Sequence, residues 1–409
     1  MTLKRVTLIG VLGALVLAFL AIFALAVLRE APGSNSYALM ADAWLQGRFD
    51  VEACFDADCA AFDGKTFIIF PPMPGVIALP FVALFGVDFQ FFVPVSLLGF
   101  GLIALMWWRI GLKLTDHRSL TSVIMLLTLF ATPLAFVTIR GDHVWFFAQL
   151  WGFVFVSAAL FSALNLRSAV LTGLFIGMAF LCRQMSILYL PFLYVLLLDD
   201  ETPLFRIDWA TIGRGLRLAA FPLAAIAVYL TYNYLRFGAP METGYQYMDP
   251  TLFGETNEIN SFINGRVQDI GLFSPAYFLF NAVYMFISGP HIQFGGPYLT
   301  EMTGFDSNGA SVFLVAPVLL LAFLAPWDRR FLFGFGTAAL ILGLTLFYHS
   351  NGFSQYSAQR YALDWLPILL IFVARGLKPE HTGAVAVLTG YAMAVTLSML
   401  AVGGLLAGA

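Results

Sequence analysis

Asp142 and His143 stand side by side behind Arg140-Gly141, where an apolar run begins at Val144. A carboxylate beside an imidazole can move a proton, and a guanidinium two residues away can hold an anion. The structural alternative is helix capping by the acid and snorkelling by the arginine. Arg183 lies between two apolar runs and is followed by Gln184. An arginine at membrane depth is costly and needs a partner, either a phosphate gripped in a bidentate way or a carboxylate or carbonyl inside the bundle. The stretch His349–Tyr361 joins two apolar runs and is dense in polar groups, with Gln355, Arg360 and Tyr361 suited to sugar hydroxyls or a phosphate. Arg360 and Asp364 are spaced i,i+4, so a structural pair on one helix face is the alternative. Glu242 and Tyr245, in the stretch that begins at Arg236, suit sugar contact or interfacial anchoring. Cys54 and Cys59 flank Asp56 and lie near other carboxylates, which fits a loop disulfide in an oxidising compartment or a metal site. Cys182 reads as a buried, unpaired thiol, and His291 as structural.

These residues need a scaffold, and composition says which kind. Of the 409 residues 60% are hydrophobic and 11% are charged, with a mean hydropathy of +0.85. Long apolar runs dominate over single-residue alternation, which predicts an all-α polytopic membrane protein. No basic tract points to nucleic acid, no fixed-period repeat occurs and no N-x-S/T sequon is present. Eleven runs read as transmembrane helices: 6–28, 91–112, 120–137, 144–164, 168–182, 184–198, 216–235, 310–325, 331–348, 362–374 and 382–406. Lys4 and Arg5 precede the first run and place the N-terminus in the cytoplasm, with the C-terminus outside. Threaded so, Lys4, Arg5, Arg109, Lys113, Arg118, Arg167, Arg206, Arg214, Arg217, Arg329, Arg330, Arg375 and Lys378 face inward, out of 21 Lys and Arg. Residues 168–182 and 184–198 are each too short for a core of about 30 Å, so they read as a hairpin of short helices with Arg183 at a recessed outer turn.

The chain reads as one domain, 1–409, with two long acidic external segments. The first, 30–90, opens with Tyr37, Met40, Ala41, Trp44 and Leu45 at helical spacing, capped by Ser34 or Ser36 and ended by Gly47. Pro71, Pro72, Pro74 and Pro80 then break a regular helix, so Val76–Phe85 reads as re-entrant or interfacial. The second, 237–308, holds Glu255 and Glu258 among its acids and a further apolar piece, Leu272–Ile287, that is not counted as a span.

The order of these parts resembles the GT-C superfamily of membrane glycosyltransferases, near the protein mannosyltransferase and aminoarabinose transferase branch (glycosyltransferase family 39-like). The residues that carry the resemblance are Tyr37-xxx-Ala41 with Gly47-Arg48, Asp63-Gly64-Lys65 before Pro71-Pro72, PFVALFG, Asp142, GLFIGMAFLCRQ and NGFSQYSAQRYALDWLP. The resemblance implies a GT-C-like bundle and inverting transfer of a sugar from a polyprenyl-phosphate donor to a lipid, glycan or protein acceptor. It places the active site on the external, periplasmic face of a bacterial inner (plasma) membrane. A loop carboxylate after the first span acts as base in this family, and some members use a divalent metal, Mg or Mn, against the phosphate. Where that acid is usual this chain has Gly33, Ser34, Asn35 and Ser36, with Glu30 and Asp42 the nearest carboxylates. The expectation is therefore catalysis by Asp142, Glu30 or Asp42, with Asn35, Tyr37, Arg140, His143, Arg183, Gln184, Glu242, Tyr245, Gln355, Arg360 and Tyr361 binding substrate. Two other readings stay open. One is a transporter or flippase of a lipid-linked substrate. The other is a non-catalytic lipid-phosphate binder on the same scaffold.

Overall fold

Six helices among the described residues are long and apolar enough to cross a bilayer: Val6–Arg29, Phe92–Thr115, Val144–Leu166, Trp209–Phe237, Arg329–Leu346 and Pro379–Gly404. At about 1.5 Å per residue, even 18 residues reach about 27 Å. The chain is an all-α polytopic membrane protein. Among the described residues its short strands pair in twos, as β1 (Cys59–Phe62) with β2 (Lys65–Ile68), β3 (Ile292–Gly295) with β4 (Glu301–Phe305), and β5 (Asn308–Ala310) with β6 (Gln355–Ala358). The structure, a computed structural model, describes residues 3–56, 58–199, 201–204, 208–253, 262–263 and 265–406. Arg206, Glu255 and Glu258 lie outside them.

The helices that concern the site are α1 (Leu3–Arg29), α2 (Tyr37–Leu45), α3 (Met73–Phe85), α4 (Phe92–Thr115), α5 (Arg118–Phe130), α6 (Leu134–Ile139), α7 (Val144–Phe161), α8 (Ala169–Phe180), α9 (Leu190–Leu197) and α10 (Trp209–Phe237). Five of the eleven apolar runs form shorter or broken helices. Residues 120–137 are not continuous: α5 stops at Phe130, and α6 starts after Thr132-Pro133. Residues 310–325 divide at Ala316-Pro317 into Val312–Val315 and a 3-10 segment, Pro317–Leu324. In both, the proline lacks an N–H and disfavours the helical region for its predecessor, as at Ala316 with φ −128° and ψ 71°.

Proline has the opposite outcome in α3. This helix runs unbroken through Pro80, against the sequence expectation, and at 13 residues it is too short to span. Pro74 falls in its first turn, where the missing N–H would have had no helical partner. Helix α2 forms where apolar spacing predicts it, but its cap is not the expected one. Ser36 makes no side-chain cap bond. The Asn35 side-chain oxygen instead accepts the Tyr37 N–H at 3.0 Å.

The chain divides into two compact units. One comprises Ala26–Phe100 and Thr138–Ser274. Within it α8 packs on α10 and α7, and α2 packs on α3. The contact of α8 with α10 needs small residues: a Cβ on Gly173 would stand 2.3 Å from the Leu218 carbonyl oxygen, and one on Gly177 3.1 Å from that of Phe221. The short helices α8 and α9 meet through the turn at Arg183 and a 3-10 segment, Gln184–Tyr189.

The other unit comprises Met1–Leu25, Gly101–Val137 and Pro275–Ala409. There Leu366–Gly376 packs on Pro317–Leu324, and Thr382–Met399 packs on α5. Arg375 grips Asp328 at two points, 2.5 and 3.2 Å, while Asp328 also caps the helix Arg329–Leu346.

Candidate functional site

Helix α7 is apolar, and 89% of an 18-residue stretch of this span is buried, against 22% for α1. Such a helix is held by packing all round, so the groups at its N-terminus are fixed in place. His143 is the N-cap residue and makes no side-chain cap bond. Its Nδ1 lies 3.1 Å from Asp142 Oδ1, and Arg140 Nε lies 3.7 Å from the same oxygen. Arg140 Nη2 stands 3.3 Å from His143 Nε2. A guanidinium can only donate, so this contact is a hydrogen bond only where Nε2 carries no proton. Burial alone would raise the Asp142 carboxyl, but the neighbouring His143 and the charge of Arg140 hold it below the usual carboxylate range. Asp142 is therefore ionised at neutral pH, and its side chain keeps 21% exposure, enough to meet a ligand.

Beneath this trio lies a fixed floor. The Asn35 amide donates to the Gly141 carbonyl at 3.0 Å. Gly141 presses on the first turn of α4, where a Cβ would stand 2.0 Å from Ser96 Oγ and 2.8 Å from Ser96 Cβ. Glu30, just beyond α1, accepts the Phe92 and Val93 N–H groups at 2.6 and 3.0 Å, so it caps α4. Burial lifts its carboxyl to about 7 despite those two bonds, and the charge of Asp142 adds to the rise.

A third wall comes from the first loop. Cys54 and Cys59 are joined in a disulfide that brackets Asp56. Asp56 is only 4% exposed. It accepts the Ser36 hydroxyl and the Asp58 N–H. Burial pushes its carboxyl up, and those two bonds with the charge of His143 oppose the rise. The Trp145 indole donates to Asp58, which ties the loop to α7. The hairpin is tied in turn to the segment after α10 through the Ala60–Met248 bridge and the Asp249 N–H on the Cys59 carbonyl.

Tyr37 and Arg183 extend the site inward. Tyr37 is fully buried, and its hydroxyl has no hydrogen-bond partner among the described residues. Burial pushes that hydroxyl up, and the nearby charge of Arg183 lowers it. Gly152 makes room for Arg183, since a Cβ there would lie 2.9 Å from its Cγ. Arg236, which the sequence reading left out of the site, is a second interior cation at 3% exposure. It bonds the Ile68 carbonyl and Asn233, and its guanidinium carbon lies 3.9 Å from the centre of the Tyr232 ring.

The unit that holds Asp142 thus brings together Glu30, Asn35, Arg140 and His143 around it, and places Tyr37 within the field of Arg183. The remaining candidates in it are placed apart from the trio's direct contacts. Asp42 accepts Gln46 at 2.7 Å. Glu242 accepts the Gly244 N–H at 2.7 Å and the Gln246 side chain. Tyr245 opens the 3-10 turn Tyr245–Tyr247. Gln184 begins the 3-10 segment after Arg183. Gln355, Arg360 and Tyr361 belong to the other unit. Gln355 is fully buried and donates to the Asn308 and Asn351 carbonyls, while Arg360 bonds the Gly352 carbonyl. Arg360–Asp364 is a 3-10 turn, in which four-residue spacing does not stack side chains as in an α-helix.

Sequence reasoning gave Asp56 little weight and missed Ser36, Trp145 and Arg236. For Asp56 the bracketing cysteines were the available signal, and for Arg236 an arginine in the last turn of a span. Among the described residues the donor set does not fit magnesium or manganese, which require several oxygen ligands. Asp142 already faces a guanidinium, Glu30 is committed to two N–H groups, and the cluster Cys54, Asp56 and Cys59 offers disulfide sulfurs in place of thiolates.

No family model and no curated protein matches the chain. Two crystal structures of ArnT from Cupriavidus metallidurans are similar to it. The form bound to undecaprenyl phosphate is 14% identical with a TM-score of 0.49, and the apo form is 15% identical with a TM-score of 0.48. Each comparison covers 92% of this chain and 62% of the other, so the chain spans less than two thirds of the length of the structures it resembles.

Proposed function

We propose that this protein is an inverting glycosyltransferase that moves a sugar from a polyprenyl phosphate to a lipid, glycan or protein acceptor on the outer face of a bacterial plasma membrane. The observation that carries the reading is the Arg140–Asp142–His143 trio, an ionised carboxylate between a guanidinium and an imidazole at the end of a buried helix. In the proposed step an acceptor hydroxyl attacks the anomeric carbon, and its proton passes to Asp142. The bond from that carbon to the phosphate oxygen breaks, and the electron pair leaves on the phosphate. Arg140 and Arg183 supply positive charge for that anion, in the bidentate manner guanidinium allows. No step runs through a metal. Loss of a positioned base costs about a hundredfold to ten-thousandfold in rate.

A second reading, lipid-phosphate binding without turnover, is favoured by the stretch Gly33-Ser34-Asn35-Ser36, which holds no carboxylate where the resembled family usually has one. The test is sugar transfer from an undecaprenyl-phosphate donor by protein in nanodiscs, with Asp142→Asn beside the wild type. The proposal expects transfer by the wild type and loss in the variant, with lipid binding kept in both. Binding without transfer in the wild type would select the second reading.

A further inference from the structure

Asn35 occupies a position where its surroundings require a hydrogen-bond donor. Its Nδ2 donates to the Gly141 carbonyl at 3.0 Å, its Oδ1 accepts the Tyr37 N–H at 3.0 Å, and it is 1% exposed. Both ends of the amide are used, and little of it is open to a ligand. Ser36, the next residue, donates its hydroxyl to Asp56. Two consecutive side chains thus tie the start of α2 in two directions, one to the turn before Asp142 and one to the disulfide loop. Gly141 is held from its other side by Ser96 and the Phe92 carbonyl. A turn fixed on both sides fixes the residue that follows it.

We propose that Asn35 is a positioning residue: its amide holds the Arg140-Gly141-Asp142 turn by donating to the Gly141 carbonyl, and this position needs a neutral donor rather than a carboxylate. The inference rests on the reading of Asp142 as base only for its effect on turnover. In the Asn35→Asp variant an ionised carboxylate would have no proton to donate and would set a negative oxygen against a carbonyl oxygen. The same carboxyl in its protonated form has the shape of the amide and one O–H to give, so it can replace the amide. Burial and the facing carbonyl favour that neutral form. The charged or titrating groups around the turn are Arg140, Asp142, His143 and Glu30, with Asp56 in the field of His143.

The experiment measures Asn35→Asp and Asn35→Ala against the wild type from about pH 5 to about pH 8, each variant read as a ratio to the wild type. Two readouts are taken: sugar transfer in nanodiscs, and unfolding temperature. At about pH 8 Asn35→Asp is expected to lose about tenfold or more in transfer, and at about pH 5 to return to within about threefold. Its unfolding temperature should fall below that of the wild type at the alkaline end and converge at the acid end. The sign follows from linkage: an acid that holds its proton more tightly when folded weakens the fold as pH rises. Asn35→Ala has no group to titrate, so its deficit should stay level across the range. The proposal is overturned if Asn35→Asp transfers faster than the wild type at alkaline pH, for then position 35 takes a working base. It is also overturned if the gap in unfolding temperature does not change with pH. Absence of transfer in the wild type would end the glycosyltransferase reading, and the unfolding temperatures would still decide the role of Asn35.

Discussion

Gly141→Ala is the perturbation that reaches Asp142 without altering any group that carries charge. The new methyl would begin 2.0 Å from Ser96 Oγ, 2.8 Å from Ser96 Cβ and 3.3 Å from the Phe92 carbonyl oxygen. Rotating the serine hydroxyl relieves the first contact and leaves the second. Carbon atoms in contact prefer about 3.5–4.0 Å, so the turn and α4 must separate by roughly 1 Å. Overpacking of this kind costs about 1–3 kcal/mol. A shift of about 1 Å in a catalytic group lowers a rate by about a hundredfold. The assay compares transfer and unfolding temperature for Gly141→Ala, Ser96→Gly and the double variant. Removing the Ser96 side chain eliminates both close contacts, so the double variant should regain most of the transfer lost by Gly141→Ala. Full transfer and full stability in Gly141→Ala would refute the claim that this packing places Asp142. So would a double variant no better than the single one.

Three further outcomes follow from the same geometry. Glu30 holds its proton to about 7 in the folded protein against an ordinary 4.5, so its contribution to stability is complete below about pH 4.5 and is lost as pH rises through 7. Allowing for its partial exposure, the effect is about 1–2 kcal/mol, and Glu30→Gln should flatten the fall in unfolding temperature across that window. Replacing Cys54 and Cys59 by serine should cost about 2 kcal/mol on the chain-entropy account, seen as a lower unfolding temperature that reductant no longer affects. Arg236→Lys should destabilise by about 2 kcal/mol in chemical unfolding, because an ammonium cannot both bond the Ile68 carbonyl and Asn233 and lie flat on Tyr232.

The membrane class was legible because apolar length is a local property. The hairpin around Arg183 was legible for the same reason, since two short runs flank one charge. The breaks at Pro133 and Pro317 were written locally too, but continuous hydropathy on both sides hid them. Helix α3 went the other way, because whether a helix passes Pro80 depends on packing around it. The candidate site was legible as single residues and not as an assembly. Asn35 meets Gly141 across 106 positions, and Glu30 meets Phe92 across 62. No spacing rule reaches that far. Glu30 shows the cost most clearly: as a lone carboxylate it reads as a candidate base, while folding commits both of its oxygens to the first turn of α4.

The most direct test of the central claim is a cryo-EM map of the protein in nanodiscs with undecaprenyl phosphate added. The account predicts phosphate density within bonding reach of Arg140 or Arg183, with the Asp142 carboxylate facing the same space. Phosphate bound where no carboxylate reaches it, or an Asp142 turned away from the lipid, would contradict the account.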